Sequence, residues 1–265
     1  MRQTGHRQNR LPVNDFTSYK TNTVVSKPRE NLYFRLMKTA LVTGASGNLG
    51  QAVIQQFLAA GYHVTGTVVP ADPVKLPVTH PDLSLVEADL LNETAAARVS
   101  QSVIDKYGHI DAAILTVGGF AMGTVAETTA ADLLRQYKLN VETAYNIARP
   151  VFLQMMKQGS GRIFMIGARP GIDMKNSKGM IAYGMAKSLI FRMAELMNDE
   201  AKGTNVVVAV VVPSTIDTPQ NRKAMPDADF SKWVSPASIA SVIHFHCSDE
   251  AASQRETVIK LYGNS

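Results

Sequence analysis

Seven consecutive residues, Val206-Val207-Val208-Ala209-Val210-Val211-Val212, carry no polar side chain. β-Branched residues are stiff at χ1 and favour extended backbone. Successive side chains of a strand point to opposite faces. A strand that is apolar at every position therefore needs cover on both faces, which is the situation of a parallel sheet flanked by helices. A half-solvated antiparallel strand would alternate apolar and polar residues, and this run does not.

The chain around that run alternates in the same sense. Strands are predicted over 39–43, 62–69, 83–88, 110–116, 162–166 and 206–212, with a seventh over 256–262. Between them, apolar residues recur at helical spacing over 49–60, 92–107 and 181–201, and the stretch 130–158 reads as one long helix or two. Gly61 closes the first helix, as glycine commonly does just past a helix end. Strand–helix alternation with fully apolar strands specifies an α/β fold: one Rossmann-like, doubly wound parallel sheet of about seven strands with helices on both faces. No linker or internal repeat interrupts residues 37–265, so they are read as one domain.

Residues 1–36 differ in kind. They are polar, interrupted by Pro12 and Pro28, and they hold the whole +5 formal charge of the chain, the remainder being balanced. They are expected to be a disordered basic extension, because Met37-Lys38-Thr39-Ala40 reads as a chain start running into the first strand. The balanced charge of 37–265 gives no basic surface for nucleic acid. No apolar run approaches the roughly 20 residues of a membrane span. The single cysteine, Cys247, has no internal disulfide partner and no metal-ligand spacing around it. No metal is expected, and a cytoplasmic location is.

Two motifs carry chemistry. Gly44-Ala45-Ser46-Gly47-Asn48-Leu49-Gly50 lies between the first strand and the first helix, where glycines let backbone amides approach a pyrophosphate at a helix N-terminus. Tyr183 and Lys187, four residues apart on a predicted helix, share a face. A cation beside a phenol favours its ionised form, so this spacing predicts a Tyr183 that trades its proton nearer neutrality. Asp89 follows the third strand and Gly118-Gly119 follow the fourth. Each of these, singly, is equally well explained as a turn former.

Together these residues resemble the short-chain dehydrogenase/reductase family over essentially all of 37–265. The resemblance implies an NAD(P)H-dependent oxidoreductase in which Gly44, Ser46, Gly47, Asn48, Leu49 and Gly50 hold the phosphates. It implies that Asp89 binds adenine, that Gly118 and Gly119 admit the cofactor, and that Pro213, Thr215 and Thr218 line it after the sixth strand. Tyr183 would be the proton donor, Lys187 would bind the nicotinamide ribose and lower the Tyr183 pKa, and Asn140 would anchor a water in a proton relay. Association into a homodimer or homotetramer through the helices carrying Asn140 and Tyr183 is implied in the same way.

Two departures narrow the reading. The serine that ends the fifth strand in the family is absent: the chain reads Ile166-Gly167-Ala168-Arg169, and Ser177 lies in a polar loop. That hydroxyl would stabilise charge developing on a carbonyl oxygen; a conjugated C=N system, which spreads its charge, tolerates the loss. The Gly-Ala pair, the stretch 179–187 and the long irregular stretch 212–233 resemble the quinonoid dihydropteridine reductase group of the family. This resemblance implies a pterin-like substrate held by Phe120, Ala168, Asn221 and Met225. Other conjugated imine, quinone or carbonyl substrates remain open, as does a non-catalytic dinucleotide sensor. The second strand ends at Thr67-Val68-Val69-Pro70, without the acidic residue that binds a ribose 2′-hydroxyl and without a basic one for a 2′-phosphate; Lys75 is the nearest candidate. NADH or NADPH is left open by these residues, with the resemblance leaning to NADH.

Overall fold

The computed structural model describes residues 37–72, 79–173, 177–255 and 258–264. The basic extension 1–36 and Lys75 lie outside the described residues.

Seven strands form one parallel sheet in the order β3-β2-β1-β4-β5-β6-β7. They are β1 (Thr39–Thr43), β2 (His63–Val68), β3 (Leu83–Glu87), β4 (Ala112–Leu115), β5 (Ser160–Ile166), β6 (Asn205–Pro213) and β7 (Val258–Leu261). The valine run is β6, buried from Val206 to Pro213 and paired on both edges, Val208 with Ile163 and Val210 with Val258.

The described residues hold seven α-helices, α1 (Asn48–Ala59), α2 (Glu93–Tyr107), α3 (Ala130–Tyr137), α4 (Thr143–Gln158), α5 (Ile181–Glu200), α6 (Pro219–Ala224) and α7 (Pro236–Phe245), of which α1, α2, α4, α5 and α7 cover the sheet. Alternate strand residues feed two separate cores. Leu41, Ala113, Ile163, Val208 and Val210 pack with α2, α4 and α5. Ala40, Ile114, Phe164, Ala209 and Val211 pack with α1 and α7. The sheet is thus covered on both faces, as its composition requires.

Three features depart from the sequence expectation. The 130–158 stretch is two helices, as the expectation allowed, but they are joined by a π-helical turn, Lys138–Glu142, which contains Asn140. π-Turns insert a residue into a helix and are frequent at functional sites. Helix α7 was not expected, although Ser235 caps it by accepting the Ser238 N–H and Pro236 occupies its first turn. β2, β3 and β4 are shorter than predicted, β4 spanning Ala112–Leu115, whereas β5 and β6 each start earlier than predicted.

The strand order reverses between β1 and β4, and in open α/β sheets the crevice beyond the carboxyl ends at such a point is where ligands bind. The turns after β1, β4, β5 and β6 all open there.

Candidate active site

The turn after β1 is built so that only glycine fits. Gly44 has φ +65°. A Cβ on Gly50 would lie 2.1 Å from the Gly44 carbonyl oxygen, so the turn folds directly onto the first turn of α1. The Gly47 N–H donates to the Gly44 carbonyl at 3.0 Å, and the Ala45 N–H to Thr67 at 2.8 Å, which ties the turn to β2. Asn92, Thr129, Thr218 and Ser235 cap α2, α3, α6 and α7 with their side chains, whereas no side chain caps α1, α4 or α5. The first-turn amides of α1 therefore start the helix without a side-chain acceptor, at the positive end of its dipole. Leu49 is buried and contributes backbone, Ser46 is half-buried, and Asn48 Nδ2 donates to Gln220 Oε1 at 2.8 Å.

Asn140 fixes the turn after β4. Its side chain is 1% exposed. Nδ2 donates to the Gly119 carbonyl at 3.1 Å and to Gln136 Oε1 at 3.0 Å, while Oδ1 accepts the Gly119 N–H at 3.2 Å. The amide clamps the Gly119 backbone on both sides. A Cβ on Gly118 would stand 2.7 Å from Asn140 Oδ1 and 3.3 Å from Lys187 Nζ, so this glycine marks where the two side chains converge. Asp89 is exposed, and its Oδ1 accepts the Leu91 N–H at 3.0 Å, the turn-forming role.

Tyr183 and Lys187 lie one turn apart on α5, with Lys187 Nζ 5.8 Å from the Tyr183 ring centroid and donating to the Ile166 carbonyl at 2.8 Å. Phe120 meets Tyr183 edge-on at 5.0 Å. Here the electrostatics run against the sequence expectation. Burial, which disfavours charged forms, pushes the Tyr183 phenol up to about 12 and the Lys187 ammonium, 5% exposed, down to about 8. At the phenol, desolvation sets the direction.

A cavity of about 510 Å³ opens between these elements. Of the residues singled out from sequence, Phe120, Ala168, Tyr183, Lys187, Pro213, Thr215, Asn221 and Met225 line it. Arg169, Pro170, Met180, Ser214 and Ile216 also line it and were not anticipated. Ala168 sits where β5 gives way to a 3₁₀ turn, Arg169–Gly171, and Ser177 does not replace its missing hydroxyl: Ser177 Oγ donates to the Asp173 carbonyl at 2.9 Å. Thr218 caps α6 by accepting the Asn221 N–H at 3.2 Å. The segment after β6 is held by its own contacts. Arg222 makes a two-pronged pair with Asp217 at 2.6 and 2.8 Å and lies 4.6 Å over the Phe230 ring, and Phe230 packs on Trp233 at 4.7 Å. Asn221 Nδ2 donates to the Ile216 carbonyl at 2.8 Å, fixing one wall of the cavity.

Residues 38–229 match the family model described as short chain dehydrogenase. The chain belongs to that family. It is 27% identical over 241 residues to acetoacetyl-CoA reductase of Acinetobacter sp. (strain RA3849), covering 85% of this chain and 96% of that protein. It is 26% identical over 246 residues to 3-oxoacyl-(acyl-carrier-protein) reductase FabG of Thermotoga maritima, with the same two coverages of 85% and 96%. Among solved structures, ElxO with NADP bound superposes with a TM-score of 0.78 at 20% identity, covering 86% of this chain and 98% of that one. That structural likeness bears on the fold. Membership makes this chain an oxidoreductase of the family type. Among the described residues no group of three or more His, Cys, Asp or Glu side chains is placed to hold a metal, and no helix is long and apolar enough to cross a membrane.

Proposed function

We propose that this chain is an NAD(P)H-dependent reductase that converts a quinonoid dihydropterin to the tetrahydropterin, with Tyr183 as proton donor. The residues present fit a dinucleotide. At Gly44 and Gly50 the turn leaves no room for a Cβ, and it leads into a helix start with no side-chain cap, which suits an anion. Gly118 leaves a gap between Asn140 and Lys187 that a side chain would fill. Bound in that cradle, the cofactor would supply the hydride.

The chain's own residues do the rest. The first-turn amides of α1, with Ser46 and Asn48 beside them, hold the phosphates. Asn140 keeps the Gly118-Gly119 turn open at the nicotinamide end, and Lys187 reaches the ribose. Tyr183 Oη gives its proton to a ring nitrogen of the substrate as the conjugated C=N bond gains a hydride at the other end of the π system. Phe120 offers an aromatic edge and face to a flat ring, Met225 and Asn221 bound its far side, and the packed segment 217–233 excludes water. The end of β2 carries Val68 and an exposed Val69, with no charge for either nucleotide, so NADH stands first on the group resemblance alone.

The observation that carries this reading is Ala168. At the end of β5, in one cavity with Tyr183 and Lys187, the chain offers a methyl where a lone carbonyl oxyanion would need a hydroxyl. A second reading, favoured by the names of the two reductases cited above, is reduction of a 3-oxoacyl carbonyl by the same Tyr183 and Lys187. Two copies pairing through α4 and α5 are supported by an outward apolar row of Met185, Leu189 and Leu196 on α5, with Tyr145 and Leu153 on α4.

The test is rapid-mixing measurement of nicotinamide oxidation with dihydropterin in its quinonoid form, generated in situ. Tyr183→Phe is expected to slow the chemical step by about 10²–10⁴-fold, the usual worth of a positioned proton donor. Near-full turnover in that variant removes Tyr183 from the role.

A further inference from the structure

Helix α3 inverts the usual pattern of burial. Its Leu134 and Tyr137 are 53% and 42% exposed, while its one buried residue is Gln136, 3% exposed. A buried amide is destabilising unless its polar atoms are matched, so the position of Gln136 is explained by the hydrogen bonds it makes.

Those bonds run to Asn140. The two residues stand four apart, where side chains share a helical face, and Asn140 lies in the π-helical turn that follows α3. Asn140 Nδ2 donates to Gln136 Oε1 at 3.0 Å, to the Gln136 main-chain carbonyl at 3.1 Å and to the Gly119 carbonyl at 3.1 Å. Two amide protons are thus shared among three oxygens, two of which belong to Gln136. The Gly119 N–H can only donate, so Asn140 Oδ1 faces it, Nδ2 faces Gln136, and Gln136 offers its oxygen there. The Gln136 NH2 is turned the other way. It makes no hydrogen bond among the described residues, and Gln136 lines a second cavity of about 360 Å³ together with Ala121, Met122 and Ala182.

These contacts end at the cradle. Asn140 holds both polar groups of Gly119, and a Cβ on Gly118 would stand 2.7 Å from Asn140 Oδ1 and 3.3 Å from Lys187 Nζ. With so little slack, a drift of the Asn140 amide moves the Gly118-Gly119 turn relative to Lys187. Resting on the reading of that turn as the nicotinamide end of a dinucleotide site, we propose that Gln136 is a positioning residue. It acts through Asn140 on the Gly118-Gly119 turn, and so on the seat of the nicotinamide and its ribose. The phosphates, held at the Gly44–Gly50 turn, do not depend on it.

The test is calorimetric binding of NADH and of ADP-ribose, which lacks the nicotinamide, to the full chain, repeated with NADPH and 2′-phospho-ADP-ribose. Gln136→Met fills similar space without the acceptor. It is expected to weaken the whole nucleotides by about three- to tenfold, the usual worth of one hydrogen bond, and the nicotinamide-free ligands by less than about twofold. Gln136→Asn draws the oxygen back by one methylene and should show the same split, which keeps the test open should the Met variant fail to fold. Gln136→Glu keeps an oxygen at the same reach in either protonation state and should hold whole-nucleotide affinity within about twofold of wild type. Equal losses for both classes of ligand would mark a general loosening of α3 and overturn the proposal, as would undiminished whole-nucleotide affinity in Gln136→Met or Gln136→Asn. None of these ligands is a pterin, so failure of the dihydropterin assignment is seen separately, in turnover. A wild-type chain that binds neither class overturns the dinucleotide reading and the proposal with it.

Discussion

Replacing Lys187 by Met should stabilise the fold relative to wild type while abolishing turnover, and the stability gain should vanish with rising pH. Lys187 is 5% exposed, and burial takes its ammonium from 10.5 to about 8. At neutral pH both native and unfolded chains hold the proton, so the native state bears the desolvation of the charge in full. Between about 8 and 10.5 the unfolded chain still holds a proton that the native chain has released, so native stability rises with pH across that window. The difference of 2.5 pKa steps corresponds to about 3 kcal/mol at pH 7. Met nearly matches Lys in length and has no charge, although the Ile166 carbonyl loses its donor, which costs about 1–3 kcal/mol. That second cost is independent of pH, so the signature is the pH dependence. The stability of Lys187→Met relative to wild type, from urea titrations monitored by circular dichroism, should fall by about 2–3 kcal/mol between pH 7 and pH 10. Parallel pH profiles for the two proteins would refute the claim that desolvation dominates at this site.

Two further substitutions probe the cradle and the missing hydroxyl. Gly50→Ala puts a Cβ 2.1 Å from the Gly44 carbonyl oxygen, so the turn must open; nucleotide affinity, by fluorescence titration, should drop by at least about tenfold, the loss of one charge-assisted contact or more. Ala168→Ser restores a hydroxyl at the β5 end and is expected to raise kcat/KM for acetoacetyl-CoA by at least about tenfold, within the range known for single oxyanion donors; unchanged carbonyl reduction would show that the hydroxyl's absence does not set the chemistry.

The sheet was legible because its signal is compositional. A run such as Val206–Val212 has no other stable environment, and the Gly44–Gly50 spacing means little until it falls between a strand and a helix. The π-turn at Asn140 was not legible, since apolar residues continue at helical spacing through Val141, Ala144 and Ile147, and one inserted residue hardly disturbs that period. Helix α7 carries its start signal at Ser235-Pro236, but its apolar run, Ile239 to Ile243, is too short to be told from a strand. The sign of the Tyr183 shift was not legible because sequence spacing gives the distance between two groups and not their burial, which arises from β5, β6, the Arg169–Gly171 turn and Phe120 packed against this part of α5.

The most direct test compares kcat/KM for quinonoid 6,7-dimethyl-dihydropterin with that for acetoacetyl-CoA, each with NADH and with NADPH, on the wild-type chain. A cavity with Tyr183, Lys187 and Ala168 as described should favour the dihydropterin by at least about 100-fold, the scale of one missing oxyanion donor for the carbonyl substrate. Faster reduction of acetoacetyl-CoA, or no dihydropterin turnover with either nucleotide although the nucleotide binds, would contradict it.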